Sequence, residues 1–281
     1  IASCLVGSEM CIRDRSKLAA DTLVQTLEED VARVMARTFA LGRHDAAIAA
    51  NYGGHALPPL LRRWSCVLQA GDAKATALYR HKTALALAIV LHRNGLADAG
   101  LNAAARTAID VLNAEVALSD DFFRKSAQIR QDFLDTPPAP PKRSPGLPDS
   151  LTFYRAADVV AMELDGRFHA LYVHGCARTN QSPIVEFYDA VFDHVPQMAE
   201  LADVRARGRR YNDGVGRVAR FSISGLKFLP DPAGQFTLVK ACVETPPDPG
   251  HLQKGDWLYT VSDIFELQSE VDSMFGPGGK P

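Results

Sequence analysis

The chain is poor in cysteine, tryptophan and long apolar runs, and neither sign of charge dominates it. Five cysteines among 281 residues, none in a CxxC pair, give no disulfide framework and no structural zinc spacing. They favour reduced thiols in the cytoplasm. Lys and Arg number 31 against 33 Asp and Glu, a net charge of −2, which excludes an overall basic footprint for nucleic acid. The longest apolar run, "ALALAIVL" from Ala84 to Leu91, is far short of the ~20 residues a membrane helix needs, so it reads as a buried helix segment. HExxH, GxxxxGK[ST] and GxSxG do not occur, which removes the sequence signatures of zinc proteases, P-loop enzymes and α/β-hydrolases. "GVGRVA", Gly214 to Ala219, matches GxGxxA. It runs into a strand pattern rather than a helix, so it reads as a glycine turn and not as a pyrophosphate cradle.

The start of the chain is unlike the rest. "CLVGSEMCIRDR", Cys4 to Arg15, crowds two cysteines and a methionine ahead of an alanine-rich helix. With one choice of codons, Leu5 to Asp14 back-translates into the transposase mosaic-end adapter of sequencing libraries. Residues 1–15 are therefore read as translated adapter and set aside from the fold. On that reading the native start, with any signal peptide, is missing, and the cysteines reduce to Cys66, Cys176 and Cys242. The alanine and arginine richness of the remainder fits a high-GC bacterial source.

One boundary stands out. "TPPAPPKRSPGLPDS", Thr136 to Ser150, is too proline-rich for a helix interior or a central strand and reads as a semi-rigid linker. It separates a helical domain, residues 16–135, from a β-rich domain, residues 151–275, with a frayed tail at 276–281. In the first, Leu23, Leu27, Val31 and Val34 recur at helical spacing over 17–39. Pro58 and Pro59 suit the first turn of a helix reaching Gln69. Asp72 is the expected N-cap of a long helix ending at Gly95, with Leu78, Leu85 and Ile89 as its stripe. Another helix covers 96–117, and Ser119 caps a last one through Phe133. Short connections predict helical hairpins, in a bundle or a repeat-like stack.

After the linker the period becomes two. "DVVAMEL" and "RFHALYVHG" meet across Asp165-Gly166, a two-residue hairpin signal. "PIVEFYD" is a third strand. "VGRVARFSISGLKFL" and "QFTLVKACV" are joined by "PDPAG", while "PQMAELADV" and "DIFELQSEVDSMF" read as short helices. The expected class is α+β: helical hairpins followed by a small antiparallel, partly barrel-like β domain with short helices.

The chemistry-bearing residues are few. His81 and His92 share a helix face but lie roughly 16 Å apart along the axis, too far to share a metal. His169 and His174 point to opposite faces of one strand. Neither a metal site nor a cofactor site is expected, and no residue is assigned a catalytic role. Glu186 and Tyr188, on one face of their strand, with Asp189 and Asp193 at its end, predict an acidic and aromatic patch for a protein partner. Arg205, Arg207, Arg209 and Arg210 beside Tyr211 form a cluster that suits phosphates and a stacked base. Against it, residues after 135 hold 15 basic and 18 acidic side chains, so that segment also reads as a solvated loop.

"ADVVAMELDGRFHALYVHG" followed by "PIVEFYDAVFDHVPQMAEL" resembles the immunity protein 26 family of bacterial polymorphic toxin systems, over roughly Phe153 to Leu201. The likeness rests on the opening hairpin, the strand ending in F-x-aromatic-D, and the short helix after it. Ala157 stands where that family's pattern has glycine, and "GDWLYTVSDI" around Trp257 is only loosely similar to its closing tryptophan segment. The resemblance implies a non-catalytic module that neutralises a partner toxin by stoichiometric binding. Two alternatives stand beside it: a hydrolase-type enzyme with a site between the two domains, and a nucleic-acid adaptor using the 205–211 arginine loop.

Overall fold

The computed structural model describes residues 2–211, 213–255 and 257–276, with side chains from residue 22 onward. The expectation for the tail at 277–281 lies outside the described residues. These residues fall into two compact units, one within Ile1–Gly53 and Ala70–Gly146, the other within Gly54–Gln69 and Leu147–Pro281.

The first unit is helical: α1 (Ala2–Gly42), α2 (Ala46–Ala50), then α4 (Ala77–Arg93), α5 (Ala99–Ala114) and α6 (Asp120–Ile129), the last continuing into a π-type turn at Arg130–Asp135. The stripe of α1, Leu23, Leu27, Val31 and Val34, is buried. Helix α4 packs against both α1 and α5, so its buried surface (Thr83, Ala84, Leu85, Leu87, Ala88, Val90, Leu91) is wider than the one-sided stripe expected for it. Its cap is Thr76, whose hydroxyl accepts from Tyr79 N, rather than Asp72, which pairs with Arg80 at 2.7 Å. Gly95 follows α4 with φ +77°, as a residue just past a helix end requires. Ser119 caps α6 as expected, accepting from Phe122 N, with Asp120 and Asp121 in the first turn.

Helix α3 (Tyr52–Leu68) departs from the expected division. From Gly54 onward it belongs with the sheet, on the far side of the proline-rich boundary. Pro58 and Pro59 also lie inside it rather than at its start. Helix α3 buries Ala56, Leu60 and Trp64 completely, and a set of long-range polar bonds ties it to the β unit. Arg63 makes a buried bidentate pair with Asp231, 2.8 and 3.0 Å, and donates to Gln235 Oε1 at 3.1 Å. Asp231 in turn accepts from the backbone N–H of Ala233, Gln235 and Phe236. Arg62 clamps Asp165 and Asp272, and Pro59 O accepts from Gln268.

The second unit holds strands β1 (Val159–Leu164), β2 (Arg167–Arg178), β3 (Gln181–Phe187), β4 (Gly208–Arg210), β5 (Gly216–Val218), β6 (Arg220–Ser224), β7 (Phe236–Lys240) and β8 (Thr260–Asp263), with α7 (Met198–Leu201) and α8 (Ile264–Phe275). The main sheet runs β7-β1-β2-β3-β6-β8, and β4 pairs with β5 separately. All its pairings are antiparallel except β6 with β8, so the chain is α+β. The β1–β2 turn has φ +52° at Asp165 and +74° at Gly166, the geometry that makes Asp-Gly a hairpin signal. The long strand expected from Val215 to Leu229 is broken into β5 and β6, and β6 does not pair with β7 across "PDPAG". That turn is instead held by Asp231.

One sheet face carries Met162, His169, Phe187 and Phe221, and Phe275 of α8 packs on His169 and Phe187 at 4.7 and 5.8 Å. On the other face Val159, Ala170, Tyr172, Tyr188 and Leu201 form a second apolar cluster. With both faces covered, strand residues of either parity are buried.

Candidate functional site

Double coverage decides the fate of the expected acidic patch. Ile184, Glu186 and Tyr188 do share a face, but it is an inner face for two of them. Glu186 is 0% exposed and Tyr188 3%. Burial, reinforced by Tyr172 and Glu186, pushes the Tyr188 phenol up to about 12. Asp189 pairs with Arg207 at 2.8 Å. Asp193 is open to solvent and bonds His194 at 2.6 Å, which holds its carboxyl below the usual range, while Asp193 and then Glu200 hold the His194 imidazole above its own. The four residues therefore do not present one surface.

The arginine segment is not a loop apart from this strand. Asp189 N donates to Arg205 O and Arg207 N to Phe187 O, so 205–207 runs beside the end of β3. The residues read as two rival sites are partners. Arg207 also donates to Met274 O and lies 4.9 Å over the Phe275 ring, while Arg209 pairs with Glu270 and sits 5.9 Å over Phe221. Both guanidiniums fasten α8. Arg205, Arg210 and Tyr211 remain exposed, with Arg217 stacked 4.9 Å over Tyr211.

Beside Tyr188 the sheet encloses a polar row of which the sequence named only Glu186 and His174, and those not together. Register sets Tyr172 opposite Glu186, and Glu186 opposite Arg220. A bulge between Val173 and Gly175 turns His174 across the strand, a common use of bulges. Its Nε2 lies 2.5 Å from Glu186 Oε2, and Arg220 Nε donates to the same oxygen at 3.3 Å. Glu186 Oε1 is buried with no protein hydrogen-bond partner. The Tyr172 hydroxyl donates to Val243 O. Burial pushes the thiol of Cys176, two residues beyond His174, upward, opposite to what activates a cysteine nucleophile. Chemically the row is a buried ion pair with its carboxylate inside and its guanidinium partly outside.

That outer end opens on a shallow, water-sized cleft of about 20 Å³, continuous with solvent and lined by Arg209, Tyr211, Arg220, Trp257 and Tyr259 among others. Trp257, which lines it, is 84% exposed, and close by in the chain Leu258 (84%) and Val261 (77%) are exposed too. Trp257 was visible in the sequence only through the loose family likeness. Strand β8, four residues long and parallel to its neighbour, has no sequence signal of its own. Among the described residues no group of His, Cys, Asp and Glu is placed to hold a metal ion, and no helix is long and apolar enough to cross a membrane. Comparison of the chain with family models, with curated proteins and with solved structures gives no match.

Proposed function

We propose that the chain is a non-catalytic, stoichiometric protein-binding module whose β unit engages a protein partner, in the manner of the immunity proteins its hairpin resembles. One observation carries the reading: three large apolar side chains within residues 257–261 stand almost wholly in water. A monomer gains nothing from that exposure, whereas covering each against a partner contributes about 1.5–3 kcal/mol. Tryptophan is a frequent anchor of interfaces. The docking surface is accordingly put at Trp257, Leu258 and Val261 rather than at Glu186 and Tyr188. The buried Glu186, the committed Tyr172 hydroxyl and the raised Cys176 thiol favour binding over chemistry for the His174 row.

The test is affinity capture from the source organism or a close relative, with the chain tagged at its C-terminus and compared with Leu258→Asp. One partner, co-purifying at one-to-one and weakened about tenfold or more by the variant, is the expected result. A partner held equally by both would move the surface elsewhere. No stoichiometric partner at all would sink the reading.

A further inference from the structure

The two sheet edges are unlike. Strand β7 ends in the exposed Lys240, and lysine is a usual guard against pairing with another chain. Strand β8 has no such guard. Among the described residues its only strand partner is β6, and Trp257, Leu258 and Val261 flank or occupy it. Its own carboxylate, Asp263, is turned to the backbone N–H of Phe265 and Glu266. The charges beside this edge are polarised. Arg220 has a side chain 35% exposed while its partner Glu186 is at 0%, and Arg209 stands at 28% against 16% for Glu270. In both pairs the guanidinium is the outward pole, and both guanidiniums line the cleft with Tyr211, Trp257 and Tyr259.

From this edge and its polarised rim we infer that β8 receives an extended, acidic segment of the protein partner as an added strand, with one large apolar or aromatic side chain of that segment laid against the exposed Trp257 beside Arg209 and Arg220. The inference rests on the binding reading above and adds the mode and the chemistry of the ligand. Main-chain bonds to β8 supply register-dependent affinity, and alternate side chains supply selection. The outward guanidiniums select negative charge, in a way that added salt weakens.

The experiment is selection of a displayed random-peptide library on the full chain, followed by titration of the enriched peptides, made synthetically, against wild type, Val261→Asp and Leu258→Asp. Both positions are exposed, so the variants should fold, and circular dichroism checks that they do. Enriched peptides should be net acidic with one apolar or aromatic residue, and should bind about tenfold more weakly to either variant and at raised salt. N-methylation at alternate peptide residues should abolish binding in one register and spare it in the other. Basic or neutral winners, binding indifferent to N-methylation, affinity unchanged in both variants, or a library with no winners would each overturn the strand-addition inference. The binding reading survives such a failure if the captured partner still depends on Leu258, and falls only if capture itself fails.

Discussion

The two units are held together over different distances along the chain. In the helical unit the polar bonds are mostly local: the caps at Asp45, Thr76, Asp98 and Ser119 act within one turn. Pairs such as Lys125–Asp121 span four residues. In the β unit the ties between α3 and the rest link residues 103, 168, 209 and 210 positions apart. The difference teaches that sequence adjacency governs membership in the first unit, while for α3 contacts made far along the chain, charged pairs among them, govern it. A helix drawn from among helices is tied to the sheet by Arg62 and Arg63, which find carboxylates there, and it buries Leu60 and Trp64 completely.

The sharpest way to break this contrast is Arg63→Ala. It strands the buried Asp231, so a loss of about 3–5 kcal/mol is expected, as for any buried pair stripped of one member. Hydrogen exchange should show it in the amides of β1 and β7 while those of α4 keep their protection. Equal loss in both units would erase the distinction. Next in size is a pH effect confined to the β unit. Burial, aided by Arg167, lowers His169 to about 4 from 6.5. The neutral imidazole is the folded form, so its stabilisation is whole above pH 6.5 and is lost as pH falls towards 4. By linkage the β unit should lose up to about 3 kcal/mol over that window, and His169→Phe should flatten the acid limb of the denaturation profile.

Smaller effects come from backbone strain, tested at one position in each unit. Val116 follows the end of α5 with φ +50° and Ala157 precedes β1 with φ +69°, both in the left-handed region that favours glycine. Val116→Gly and Ala157→Gly should each raise stability, by about 1 kcal/mol, read as a shift in denaturation midpoint. The cap of α4 is comparable, Thr76→Ala costing about 1 kcal/mol, and smallest is Asp72→Ala, at less than about 0.5.

Much of the fold was legible where its cause is local. Ser119 announces α6 and Asp165-Gly166 announces the β1–β2 hairpin, whereas the left-handed backbone at Ala157 had no signal read from the residues themselves. What was not legible depends on partners far along the chain. Nothing near Arg62 and Arg63 says that they meet Asp165, Asp272 and Asp231. Glu186 and Tyr188 alternate as an outward row would, and only the cover laid by the 192–204 segment and Val243 turns that row inward. The short strands β4 and β8 lack a periodic run long enough to read, so the arginine cluster looked like a free loop and the Trp257 edge drew little notice.

The most direct test of the account uses the chain's two tryptophans, Trp64 fully buried and Trp257 exposed. Labelled with 5-fluorotryptophan and titrated with the captured partner, the protein should show two fluorine resonances. The account predicts that the Trp257 signal shifts and becomes shielded from solvent at one equivalent of partner while the Trp64 signal stays in place. A complex that forms with the Trp257 resonance unmoved and still open to solvent would contradict it.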